Sequence, residues 1–161
     1  MKMSRIATFV FFLIVVSVSN MCENGDDNCP ISIGDNIELF SDSFTDENPY
    51  LILINSSDFR QAKEVSINGI LYVCGVNESG IVEFVLTEDR DFSTPEGVSI
   101  GDDFVSLQNQ IGNIEPITER GFARYITLES GWNACFETTD FDRLKPKPDL
   151  DSSWVSFFFK R

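Results

Sequence analysis

The stretch Val98-Ser99-Ile100-Gly101-Asp102-Asp103 has a near copy, Ile31-Ser32-Ile33-Gly34-Asp35-Asn36, which lies 67 positions earlier in the chain. In both copies an apolar alternation runs into Gly-Asp, and an Asp side chain can accept hydrogen bonds from the backbone N–H groups that begin a helix. Each copy therefore predicts a helix that starts at Gly-Asp. The alternative is that Ser-Ile-Gly-Asp is a common turn sequence that occurs twice by chance.

Apolar residues follow both copies at the spacing of an amphipathic helix. We expect helices near 35–44 and 102–111, each with apolar residues at i, i+3 and i+7 that form one stripe. The stripes are Ile37, Phe40 and Phe44 in the first helix and Phe104, Leu107 and Ile111 in the second. Glu38 adds a D-x-x-E capping box to the first copy only.

The rest of each half has the composition of β-strands. Runs of β-branched and aromatic residues, bounded by turn residues, predict short strands and hairpins. These runs cover 50–54, 64–76 with a bend at Gly69, 81–88, 114–118, 121–128 and 132–137. The last stretch, 154–161, is apolar on both faces, which favours a central strand over an exposed edge.

The repeated order of helix, short strand and hairpin predicts an α+β fold. We expect a single domain over 31–161 made of two half-repeats, 31–92 and 98–161. Each half is predicted to be a helix packed on an antiparallel sheet, and the sheet is shared or continuous between the halves. A period of 67 residues is too long for a solenoid repeat.

The first residues have the pattern of a secretory signal. Lys2 and Arg5 precede an apolar run over 6–16, and small residues follow it, so residues 1–19 predict a signal peptide. The run is too short to span a bilayer as a helix. Residues 20–30 form a polar, acidic leader, and the chain is expected to be secreted or periplasmic. A rival interpretation makes Cys22 the lipidated first residue of a surface lipoprotein.

Four cysteines follow the signal, namely Cys22, Cys29, Cys74 and Cys135. An even number of cysteines in an exported chain predicts two disulfides, and four cysteines allow three pairings. We favour Cys22 with Cys29 and Cys74 with Cys135, although the sequence does not choose among the three.

The chain is strongly acidic. Its formal net charge is −14, and without residues 1–19 it carries ten Lys and Arg against 26 Asp and Glu, a net charge of −16. Charge of this sign repels nucleic acid and anionic lipid surfaces and favours a basic protein partner. Solubility alone would also account for it.

The sequence contains no histidine, which removes Ser-His and Cys-His nucleophilic sites and every imidazole metal site. The acidic groups Asp140, Asp142 and Asp149, or Glu88, Asp89 and Asp91, lack the spacing of a calcium loop. Carboxylate pairs are too numerous to indicate a catalytic site. We therefore predict no cofactor, no metal site and no enzymatic activity.

The aromatic residues divide between core and surface by strand parity. Trp132, Phe136, Phe157 and Phe159 are predicted to fill the core. Trp154, Phe158, Tyr125 and Arg124 have the opposite parity and predict an aromatic and arginine patch on the outer face, of the kind that protein interfaces favour.

The order of a Gly-Asp turn, an amphipathic helix and a hairpin, twice over in an exported chain, resembles two families. They are the secreted β-lactamase inhibitor proteins and the small lipoprotein of the outer-membrane β-barrel assembly machinery, and the resemblance rests on Ser-Ile-Gly-Asp and the stripe residues. It implies a non-catalytic protein-binding module. The acidic charge would suit an inhibitor or immunity protein for a cationic partner. The alternatives are a surface lipoprotein with a structural or assembly role and a carboxylate-dependent hydrolase.

Overall fold

A computed structural model describes residues 29–45, 48, 50–138 and 150–161, and these residues form one antiparallel sheet of eight strands. The strands are β1 (Tyr50–Leu53), β2 (Phe59–Ile67), β3 (Ile70–Val76), β4 (Val82–Thr87), β5 (Ile117–Glu119), β6 (Ala123–Thr127), β7 (Asn133–Thr138) and β8 (Phe157–Lys160). Their order across the sheet is β1-β2-β3-β4-β8-β7-β6-β5. The predicted signal peptide and Cys22 lie outside the described residues.

The predicted α+β fold of two helix-plus-sheet halves is wrong. Strand accounts for 42% of the structure and helix for 15%, and the sheet curls into a half-barrel. The helical elements are the 3₁₀ helices Ile37–Ser43 and Leu150–Ser152 and the α-helix α1 (Phe104–Ile111). They are too short to form a layer of their own, so they cover part of one continuous sheet.

The sheet has one strand more than predicted, because the run 64–76 contains a hairpin and is not a single bent strand. Asn68 and Gly69 both have positive φ, at 54° and 85°, and they join β2 directly to β3. Asn-Gly with two positive φ angles is the preferred two-residue turn between antiparallel strands. Gly69 is therefore part of a tight turn between two full strands, not a bend within one.

Both copies of Ser-Ile-Gly-Asp form the same turn. The carboxylate of Asp35 accepts from the backbone N–H of Ser32 at 2.7 Å, and that of Asp102 accepts from Ser99 at 2.8 Å. The intervening glycines have φ angles of 98° and 95°, which residues with a Cβ rarely adopt. Whether the two turns descend from an internal duplication stays a prediction.

The helices are capped one residue later than predicted. Asn36 Oδ1 accepts from the backbone N–H of Glu38 at 3.0 Å, and Asp103 Oδ1 accepts from that of Ser106 at 2.8 Å. The preceding Asp of each copy is already used to close the turn, so it does not cap the helix. The D-x-x-E capping box assigned to Glu38 is therefore also wrong.

The sheet has an apolar cluster on each face. The outer cluster lies beneath the helices and includes the predicted stripe residues together with Trp132 and Phe136. The inner cluster lies within the curl and includes Phe84, Phe157 and Phe159. The four predicted core aromatics are thus buried, but they fill two faces of the sheet rather than one.

The prediction that the last strand is central is confirmed, since β8 lies between β4 and β7. Phe158 points into the outer cluster, where its ring centroid lies 5.4 Å from that of Phe92 and 6.3 Å from that of Trp132. Phe157 and Phe159 point the other way, into the inner cluster. A strand covered on both faces needs apolar residues at successive positions.

The favoured disulfide between Cys74 and Cys135 does not form. Cys74 belongs to the outer cluster and Cys135 to the inner cluster, so the two side chains lie on opposite faces of the sheet. No two described cysteines are within disulfide distance. The pairing of Cys22 with Cys29 involves a residue outside the described part of the chain.

Burial raises the pKa of the Cys74 thiol to about 12, because removal from water disfavours the thiolate, which is the form that reacts with alkylating agents. We expect Cys74 to resist iodoacetamide at neutral pH in the native protein and to react fully in denaturant, as measured by peptide mass spectrometry. Rapid alkylation of Cys74 in the native protein would contradict this expectation, because it would show that the outer cluster opens readily to solvent.

Truncation of Phe158 tests the two-faced packing of β8. Phe158→Ala should lower the free energy of unfolding by about 3–5 kcal/mol, because it removes a fully buried ring from the outer cluster. The control is Leu39→Ala, whose side chain is 75% exposed and whose loss should change stability by less than about 0.5 kcal/mol. Urea denaturation measures both, and equal midpoints would contradict the packing described.

Candidate binding groove

The structure does not bring the four predicted contact residues together. Trp154 is 63% exposed, but Phe158 is buried in the outer cluster and Tyr125 in the inner cluster, while Arg124 is half-buried on β6. Strand parity placed all four on one outer face because it assumed that one face of the sheet is uncovered. The curl and the helices cover both faces, and the register of β6 shifts between Arg124 and Tyr125.

Trp154 lines an open groove of about 440 Å³ beside the second Ser-Ile-Gly-Asp turn. The groove is lined by Glu88, Arg90, Ile100, Gly101, Trp154, Val155 and Ser156. Its lining includes one aromatic ring, two aliphatic residues, one carboxylate and one guanidinium. These are the groups that an interface needs for an apolar anchor with polar neighbours.

Backbone hydrogen bonds fix the position of Trp154. Gly101 donates to the carbonyl of Val155 at 2.8 Å, and Val155 donates to the carbonyl of Asp102 at 2.8 Å. On the other side of the tryptophan, Ser153 accepts from the backbone N–H of Phe104 at 2.9 Å. Because the chain is held on both sides of Trp154, little backbone freedom is lost when the ring contacts another molecule.

Two charged residues that line the groove follow the end of β4. Glu88 and Arg90 flank Asp89, whose carboxylate accepts from the backbone N–H groups of Leu71 and Asp91, each at 3.0 Å. Asp89 therefore ties this segment to β3. These hydrogen bonds hold the backbone that carries the side chains of Glu88 and Arg90.

Apart from Trp154, none of the residues that line the groove was predicted as a contact residue. Ile100 was recognisable only as part of the repeated turn. Glu88 was considered as a calcium ligand, and no sequence signal distinguished Arg90. The pairing of β4 with β8 brings Glu88 and Arg90 beside Trp154, and the bonds of the second turn to Val155 bring Ile100 there. Contacts between such distant segments leave no local pattern.

The described residues contain no group of three or more His, Cys, Asp or Glu side chains that could hold a metal ion. Asp140, Asp142 and Asp149 lie outside the described part of the chain. Nor does any described helix qualify as a transmembrane segment.

No family model matches the sequence, and no match is found among curated proteins or among solved structures. The resemblance to the inhibitor and assembly-lipoprotein families stays a prediction. The groove must therefore be interpreted from its own geometry.

The two tryptophans provide a direct test of the groove. Trp132 is fully buried and Trp154 is mostly exposed, so acrylamide should quench only the Trp154 component of the fluorescence. In Trp154→Phe the remaining emission should be blue-shifted and resistant to quenching, with stability changed by less than about 0.5 kcal/mol. Unchanged quenching in this variant would contradict the exposure of Trp154.

Proposed function

We propose that the protein is an exported, non-catalytic binding module whose groove at Trp154 accepts a basic loop of a partner protein. The observation that carries the proposal is a tryptophan that is 63% exposed on a hydrogen-bonded backbone, next to Glu88 and Arg90. The signal-like leader at 1–19 supports export.

An exposed tryptophan on a fixed backbone suits the centre of an interface. Tryptophan and arginine are enriched among the residues that contribute most to protein binding. Trp154 forms a β-bridge with Asp103. Its ring can therefore bury area against a partner at little cost in entropy, because its backbone is already ordered.

Charge favours a basic partner. The net charge of −14 for the whole chain attracts cationic proteins over long distances and speeds their association. In the groove, a lysine or arginine of the partner can lie over the Trp154 ring and pair with the Glu88 carboxylate. Arg90 can then donate to a carbonyl or carboxylate of the same loop.

Selection of peptides on the protein tests this proposal without knowledge of the natural partner. A phage-displayed library of short peptides selected on the wild-type protein should yield sequences rich in Lys and Arg. Trp154→Ala should weaken the selected peptides about 30-fold, as expected for loss of a central anchor. Glu88→Gln should weaken them less and reduce the dependence of affinity on salt. Calorimetric titration measures both effects.

Leu39→Ala is the matched control, because it removes an exposed apolar side chain from the 3₁₀ helix instead of the groove. It should leave affinity unchanged. The proposal fails if the selected peptides are not basic, or if they bind Trp154→Ala as tightly as the wild type while that variant stays folded.

A further inference from the structure

Arg161 places its guanidinium in a cage of aromatic rings on the inner cluster. The guanidinium carbon lies 5.5 Å from the ring centroid of Phe122, 5.8 Å from that of Tyr125 and 5.5 Å from that of Phe159. Guanidinium groups are attracted to aromatic faces at such distances, and the attraction grows as water is excluded.

Polar groups complete the cage. Arg161 Nη2 donates to Glu119 Oε2 at 2.6 Å and to the Tyr125 hydroxyl at 3.0 Å. Nη1 donates to the Ile54 carbonyl at 3.2 Å and to Glu119 Oε1 at 3.4 Å. The carboxylate thus receives both arms of the planar guanidinium, a geometry that an ammonium group cannot reproduce.

The cage also lies where the two edges of the sheet approach each other. Glu119 ends the edge strand β5, and Ile54 follows the edge strand β1. Glu119 Oε1 accepts in addition from the backbone N–H of Ser56 at 3.0 Å. Arg161, which follows β8, therefore links the ends of β1 and β5 when its guanidinium occupies the cage.

Arg60 provides an internal comparison. Its guanidinium pairs with Glu83, and its side chain is 32% exposed, the same fraction as that of Arg161. Its guanidinium also donates to the carbonyl of Phe59, whereas that of Arg161 lies within 5.8 Å of three ring centroids. The cage is thus more than an ordinary surface ion pair.

We propose that Phe122, Tyr125, Phe159 and Glu119 form a guanidinium-binding site that Arg161 occupies as an internal ligand, and that guanidinium-bearing molecules enter it when Arg161 is removed. While Arg161 is attached, its effective concentration at the cage is in the millimolar range or higher, so external ligands are excluded. The site is separate from the groove at Trp154, and neither proposal depends on the other.

Chemical rescue of Arg161→Ala tests this site. The variant should melt about 5 °C below the wild type. Millimolar ethylguanidinium chloride should recover much of that loss, because a ligand that binds only the folded state raises its stability. The same titration should shift the NMR resonances of the Phe122, Tyr125 and Phe159 rings. Sodium chloride and ethylammonium chloride at equal concentration should do neither.

Arg60→Ala is the matched control, and ethylguanidinium should not raise its melting temperature. Glu119→Gln combined with Arg161→Ala should abolish the rescue, because the carboxylate that receives both arms of the guanidinium is gone. If Arg161→Ala does not fold on its own, ethylguanidinium should restore its folding, as measured by near-UV circular dichroism, and ethylammonium should not. The proposal is overturned if ethylguanidinium acts no differently from ethylammonium, or if it stabilises Arg60→Ala equally.

Discussion

The pairing of β4 with β8 joins the first four strands to the last four. Val85 lies opposite Lys160, Leu86 opposite Phe159 and Thr87 opposite Phe158. Without these contacts the chain would consist of two four-stranded meanders, each with an open edge at its fourth strand. The pairing is stable because β8 is apolar at successive positions and both of its faces are covered, by Phe92 and Trp132 outside and by Phe84 inside.

The two Ser-Ile-Gly-Asp turns stabilise this junction from outside the sheet. The first turn bonds to the start of β4 through Gly34 and Val82, each as donor to the other segment at 2.8 Å. The second turn makes the same two bonds to Val155, just before β8. The repeated sequence thus bonds to the start of β4 and to the segment just before β8, the two strands that meet at the centre of the sheet. The second turn also forms part of the groove at Trp154.

Local patterns predicted most strands but not their assembly. Alternation in 81–88 and the apolar run at 154–161 predicted β4 and the central position of β8, because each pattern depends on neighbouring residues. The fold class was wrong because two short amphipathic segments were given the weight of full helices, and because Asn68-Gly69 was not recognised as a hairpin turn.

The contact residues were assigned by parity, which fails when both faces of a sheet are buried. Trp154 is exposed because it lies before β8, outside the alternation.

The strand order also has a consequence for synthesis on the ribosome. The ribosome makes β4 before β5, β6 and β7, and its final neighbour β8 follows all of them. Until β8 emerges from the ribosome, β4 is an unpaired edge strand whose apolar residues are exposed. Such edges pair with other chains and promote aggregation. Contacts between segments so far apart in sequence also form slowly. During this period the strand that will lie at the centre of the sheet can pair with other chains, and a chaperone that covers β4 would prevent such pairing.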